Sequence, residues 1–203
     1  MVAKGLLKPN KRSVMDEIII KEIEQIKSKY VGYDRKIALA TEPLCYYAEY
    51  YKQFKSTYHV QGQLESVLMK GKGIPSVGIP VEAMFLAEIK NLLLTAGHDL
   101  DLIQGELTVN VADEPLRYQG LAQKEQQLAK NDLYLSDAKG ILSSIIYGPD
   151  FRTRITETTQ NVVYFSYGVE GVTKPQLQTH LNTIASYLTQ AINDVEIKSI
   201  EIF

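Results

Sequence analysis

The sequence contains no tryptophan and a single cysteine, Cys45. No intramolecular disulfide can therefore close, and no cysteine-based zinc centre can be assembled. Net charge is nearly absent as well: 22 basic against 24 acidic side chains leave -2 at pH 7. Such a balance supplies no global field for a polyanion, so any nucleic-acid contact has to be local. No charge-free apolar stretch is long enough to span a bilayer, and the opening MVAKGLLKPNKRS lacks the apolar core of a signal peptide. These absences lead us to expect a cytoplasmic protein with no membrane partner. His59, His98 and His180 stand far apart without partners at metal-ligand spacing, so neither a metal nor a cofactor is expected. The loop GKGIPS, 71–76, has the glycines of a phosphate loop but not the helix-opening Gly-Lys-Ser/Thr, nor the third glycine of a dinucleotide fingerprint. Ser76 is one position out of register for a nucleophile elbow and reads as a turn residue.

What is present is an ordinary globular composition, 45% hydrophobic and 23% charged over 203 residues, and we expect one domain spanning 1–203. Lys4, Lys8, Lys11 and Arg12 mark residues 1–12 as a basic arm. Ser13 with Asp16 and Glu17 suggests a capped helix start, after which Ile19, Ile23, Ile26 and Tyr30 share a face. KIALAT, 36–41, has the length and apolar character of a buried strand, and Pro43 opens a helix over 43–58. The segment 81–96 places Val81, Phe85, Ile89, Leu92 and Ala96 on one face and should be the most buried helix. Beyond Gly97 the period falls to 2: GELTVNVAD, with Leu107, Val109 and Val111 alternating, then LYLSD, ILSSIIYG and NVVYFSYG read as strands. TKPQLQTHLNTIASYLTQAI, capped by Thr173 with Pro175 in its first turn, is a helix, and VEIKSIEIF a last strand. Helices first, strands in succession, then a helix make an α+β arrangement.

Two groups of side chains are candidates for binding. In the 43–58 helix, Leu44, Tyr47, Tyr51, Phe54 and Tyr58 recur at core spacing, whereas Tyr46 and Tyr50 lie on a neighbouring stripe where a ring can stack on a base. Arg152 and Arg154 sit two residues apart after Gly148-Pro149. On an extended segment they point the same way and offer two parallel forks to a phosphate or carboxylate. The alternative is structural pairing with Asp150, Glu157 or nearby acids. Lys70 and Lys72, with the basic arm, would extend such a patch along an RNA backbone.

The order of motifs DLDLIQGELTVNVADE (99–114), GLAQKEQQLAKNDLYLSDAKG (120–140) and RITETTQNVVYF (154–165) resembles the B3/B4 domain of the β chain of bacterial phenylalanyl-tRNA synthetase. It is carried by Gly120, Glu125, Leu128, Asp132-Leu133, Asp137, Gly140 and the run Thr156 to Val162, and it covers about 75–168. The resemblance implies a two-sheet sandwich with a helical layer, in a family associated with tRNA binding and with hydrolysis of wrongly charged tRNA. It implies a free-standing relative, since the chain has no room for a synthetase active site. The family's pocket histidine falls on Ala96, with His98 shifted by two, and its pocket glutamate falls on Arg154. A base in place of an acid makes such a pocket prefer an anion over an ammonium group. Asn91, Thr156 and Glu157 are further expected lining residues. Two functions follow: a tRNA-binding, editing-like domain acting in trans, or a binder of a small carboxylate or amino-acid derivative without RNA.

Overall fold

A computed structural model describes residues 1–7 and 10–203. Lys8, part of the expected basic arm, lies outside the described residues. Among the described residues six α-helices and ten strands follow one another as β1 (Val2–Lys4), α1 (Arg12–Lys29), α2 (Arg35–Leu39), α3 (Leu44–Gln53), α4 (His59–Lys70), α5 (Ile79–Asn91), β2 (Thr95–Asp99), β3 (Thr108–Val111), β4 (Arg117–Gln119), β5 (Glu125–Gln127), β6 (Leu133–Asp137), β7 (Gly140–Ser144), β8 (Gly148–Pro149), β9 (Asn161–Ser166), α6 (Lys174–Ala191) and β10 (Glu196–Ser199). Two antiparallel four-stranded sheets result, ordered β10-β1-β9-β2 and β3-β6-β7-β8, with a two-stranded hairpin β4-β5 beside them. The α+β class with two sheets and a helical layer is as expected. Among the described residues no helix is long and apolar enough to cross a membrane.

The start of the chain is not an arm. Val2–Lys4 form an inner strand of the first sheet, paired to β9 on one side and β10 on the other, with Ala3 wholly buried. The Met1 amine donates to the Tyr164 carbonyl at 2.9 Å. Lys11 supplies the N-cap of α1 through its backbone, so Ser13 is inside the helix rather than capping it. Arg12, its first residue, bridges Asp16 and the buried Glu82, each at 2.5 Å. A three-residue strand carries too little periodicity to be read, and its pairing is decided by β9 and β10, at the far end of the chain.

Two further expectations change. KIALAT is not a strand: Asp34 accepts from the Lys36 and Ile37 N–H groups, caps α2, and leaves Ile37 67% exposed. The helix expected over 43–58 ends at Gln53, and a separate helix, α4, begins at His59. The stripe itself lies inward, with Leu44, Tyr47, Tyr51 and Tyr58 buried and the Tyr47 and Tyr58 rings stacked at 4.4 Å.

Helix α5 is the most buried one, with eight of its thirteen residues buried. It stops short of the expected end because Leu92 adopts a left-handed backbone (φ 58°), its N–H bonding to the Glu88 carbonyl at 2.7 Å. A non-glycine residue there costs on the order of 1 kcal/mol. Burial of Leu92, Leu93 and Leu94 offsets that, at roughly 1.5 to 3 kcal/mol for each side chain. The reversal lets β2 follow almost at once and brings Thr95, Ala96 and Gly97 under α5. Helix α6 has the expected start: Thr173 and Gln176 form a reciprocal capping box, with Pro175 in the first turn.

Candidate functional site

Where α5, β2 and the turns after β7 and β8 come together they enclose a cavity of about 330 Å³. Its walls are largely apolar, with Val81, Met84 and Phe85 from α5, Leu94 and Ala96 around β2, and Ile155 opposite. The polar groups reaching it are few: His59, Gln63, Glu88, Thr95, Ser144, Arg154 and Tyr167. An apolar hollow with a handful of convergent polar groups is the usual form of a small-ligand site. Gly97 forms part of the wall, and a Cβ there would stand 2.8 Å from Ile155 Cδ1 and 3.3 Å from Met84 Sδ. At the rim stand Val77 and Leu121, both half exposed. Val77 is held by Glu82, whose Oε1 accepts from the Val77 and Gly78 N–H groups.

Chemistry in the cavity centres on Glu88 and Arg154. Glu88 is 1% exposed, and its Oε1 accepts the Thr95 N–H at 2.8 Å. Burial pushes its pKa up to about 8, against the pull of that hydrogen bond, so near neutral pH the carboxyl carries its proton and can donate. Arg154 donates to the Phe151 carbonyl at 2.8 Å, and its guanidinium lies 3.7 Å over the Phe151 ring. Stacking and one backbone bond aim the head group and leave other N–H donors for a ligand. Gln63 Oε1 is buried without a hydrogen-bond partner among the described residues, an acceptor awaiting a donor. His59 is neutral, burial having pushed its pKa down to about 4. The Tyr51 hydroxyl, 2.6 Å from the Ile145 carbonyl, gives its proton there, and so His59 Nδ1, at 3.0 Å, is the donor to Tyr51.

The two arginines do not act as a pair. Residues 150–153 form a turn, not an extended segment, in which Asp150 Oδ1 accepts from the Thr153 N–H and hydroxyl. The parallel geometry is lost. Arg152 turns onto Asp137 through two N–H···O bonds of 3.1 and 2.9 Å, donates to the Leu102 carbonyl at 3.0 Å and stands 3.6 Å from Asp150. Burial raises the Asp137 pKa, but the Gln104 N–H and Arg152 outweigh it and hold the carboxyl below its ordinary range. Arg152 thus serves internal carboxylates; Arg154 alone lines the cavity.

The other expected site residues scatter. Ala96, like Arg154, lines the cavity, so the two positions that the resemblance assigns to a pocket adjoin one hollow across 58 positions of sequence. His98, on β2, is fully buried and lies between Thr153 and Ser143 rather than in the cavity lining. Asn91 ends α5 and donates to Thr183 at 3.3 Å, beside His180. Thr156 and Glu157 are exposed, and Thr156 bonds within its own turn to Thr158 and Thr159. Tyr50 does not offer a free ring: its hydroxyl donates to Asp132 at 3.1 Å and accepts the Leu133 N–H at 2.8 Å. Tyr46 donates to Glu42 and packs its ring where a Cβ on Gly171 would meet it at 2.4 Å. Lys70 and Lys72 are exposed at the end of α4 and just beyond.

Sequence reasoning missed Glu88, His59, Gln63, Ser144 and Tyr167. Glu88 had a signal, since it lies seven residues after Val81 on the apolar face of α5; an acid on a buried stripe is costly unless used or bonded. The others reach the cavity from separate elements, and no spacing announces them. A second, polar groove of about 390 Å³ runs between α1 and α6, crossed by the 2.7 Å ion pair of Lys90 with Glu22.

Comparison with curated proteins finds no match. Among solved structures, an N-terminal fragment of the phenylalanyl-tRNA synthetase β-subunit from Pyrococcus horikoshii is similar at 19% identity and a TM-score of 0.46, the match covering 54% of this chain and 40% of that one. The B3/4 domain family matches residues 45–197, well over half of the 203 and including every cavity-lining residue from His59 to Tyr167. The chain belongs to the B3/4 domain family.

Proposed function

We propose that this B3/4 domain binds an amino-acid-sized, amphiphilic molecule in the cavity under α5, with an anionic or carbonyl group on Arg154 and Glu88. The observation that carries this reading is the pairing of apolar walls with a guanidinium, a protonated carboxyl and an unpartnered acceptor, Gln63 Oε1. The apolar walls supply affinity and the few polar groups orientation. Isothermal titration or thermal shift with a panel of small carboxylates, amino acids and their amides tests it. Binding in the micromolar to millimolar range is expected, and Arg154→Ala should weaken carboxylates about tenfold or more, a charge-assisted hydrogen bond contributing roughly 1.5 to 3 kcal/mol. Equal affinity of the variant for carboxylates and amides would remove Arg154 from the role.

A second reading, in which the ligand is the aminoacyl end of a tRNA hydrolysed in trans, has one supporting observation besides the family. Lys70 and Lys72 stand exposed at the start of the loop whose Val77 forms the rim, so a polyanion entering the cavity would pass near them. Binding of tRNA at low salt, weakened by Lys70→Ala with Lys72→Ala, and deacylation of mischarged tRNA would support it. Failure of both assays leaves the small-ligand reading alone.

A further inference from the structure

Behind the cavity wall a chain of polar side chains runs through the joint between the two sheets. The Tyr167 hydroxyl meets Ser143 Oγ in a short hydrogen bond. Ser143 Oγ lies 3.3 Å from His98 Nε2, and His98 Nδ1 lies 2.8 Å from Thr153 Oγ1. Thr153 Oγ1 makes a short bond to Asp150 Oδ1, and Arg152 Nε stands 3.6 Å from Asp150 Oδ2. Ser143, His98 and Thr153 are wholly inaccessible, and Asp150 and Tyr167 nearly so. Ser143, His98 and Asp150 are residue types that form a hydrolytic triad, but a serine with no exposure cannot attack a ligand. Only Tyr167 of the five lines the cavity.

Each hydroxyl in the chain has one proton and each neutral imidazole one N–H, so the direction at one end sets the direction at the other. An ionised Asp150 only accepts. It takes the Thr153 hydroxyl proton as well as the Thr153 N–H at 3.1 Å, and Arg152, anchored on Asp137, keeps a positive charge beside it. Thr153 Oγ1 must then accept from His98 Nδ1–H, which leaves His98 Nε2 a lone pair. Ser143 donates to that nitrogen and accepts from Tyr167. We infer that Asp150, supported by Arg152, polarises this chain one way, so that Tyr167 spends its proton on Ser143 and presents an acceptor oxygen to whatever occupies the cavity. The inference rests on the cavity's being the ligand site and adds to it a ligand class: a molecule whose anionic end meets Arg154 and which also carries an N–H or O–H donor. His98, Thr153, Asp150 and Arg152 are positioning residues in this scheme.

Nitrogen-15 NMR of the full chain at pH 7, with the His98 signals identified by their loss in His98→Gln, reads the direction without any ligand. The expected His98 tautomer is Nδ1–H; an Nε2–H tautomer overturns the chain whatever binds. Because Asp150 Oδ1 also lies 3.8 Å from His98 Nδ1, the deciding variant is Asp150→Ala, which should abolish the single tautomer; an Asp150→Ala protein that keeps Nδ1–H would also overturn it. The ligand arm uses L-leucine and 4-methylpentanoate, which differ in the ammonium group alone. Wild type should favour leucine by up to about tenfold, the contribution of one hydrogen bond, and Ser143→Ala, which frees the tyrosine proton, should bring the ratio toward one. An unchanged ratio removes Tyr167 from ligand selection. Should neither compound bind while Nδ1–H is observed, the cavity reading fails and the polarised chain stands.

Discussion

Strand β9 inside the first sheet and strand β3 at the edge of the second are both rich in valine and meet opposite fates. In the first, Val162 and Tyr164 of β9 are fully buried and Val163 nearly so, because α5 and α6 pack against β2 and β9. In the second, the edge strand β3 leaves Val109 at 62% and Val111 at 58% exposure. Apolar residues between turn signals announced both strands, with alternation only in β3. Burial came from what lies over them, and the same valine contributes core energy in one place and almost none in the other. The joint between the sheets is polar: His98 of β2 faces Ser143 of β7, and the cavity lies alongside.

That contrast can be tested by mutation. Ala3→Asp, which inserts a carboxylate between β9 and β10, should cost more than about 4 kcal/mol and prevent folding, as read by chemical denaturation. Full tolerance would mean that β1 is not an inner strand. Glu88→Gln tests the buried acid beneath the first sheet's helical layer. A carboxyl whose pKa is about 8 when folded and 4.5 when unfolded keeps its proton after the unfolded chain has lost it, so wild-type stability falls as pH rises from 4.5 to 8. The glutamine variant lacks this loss and should be more stable above pH 8 by on the order of 1 to 3 kcal/mol. The buried histidines act on the acid side. With pKa values of about 4, 4 and 3 for His59, His98 and His180 against 6.5 unfolded, both proteins should lose stability as pH drops below 6.5. Parallel stability curves for the two proteins would sink the assignment to Glu88. The smallest effect is expected at the second sheet's edge, where Val109→Thr and Val111→Thr should each change stability by less than about 0.5 kcal/mol. A cost near that of a core valine would show that this face is covered.

Legibility in the sequence followed locality. Helix α6 was readable end to end because Thr173 and Pro175 signal its start and its apolar stripe runs from Leu177 to Ile192, about four turns. Strands β6, β7, β9 and β10 showed themselves as short apolar segments between turn residues. KIALAT misled because a short apolar run suits strand and helix alike, and the deciding residue, Asp34, lies outside it. For the site, Arg154 was reached from its spacing to Arg152 as well as through family resemblance, Ala96 through the resemblance alone. Arg152 was assigned to a ligand because sequence shows a charge's neighbours along the chain but not Asp137 across the sheet.

The amino-acid sequence by itself determined the α+β class, the apolar stripes of α5 and α6 and the run of strands between them, since these rest on periodicities and caps that act within one or two turns of chain. Tertiary structure alone decided that residues 2–4 lie inside a sheet, that Glu88 faces a cavity, and that two arginines two residues apart serve different partners. Those outcomes depend on contacts between segments tens to more than a hundred residues apart, where burial and hydrogen bonding, not local propensity, set the energy.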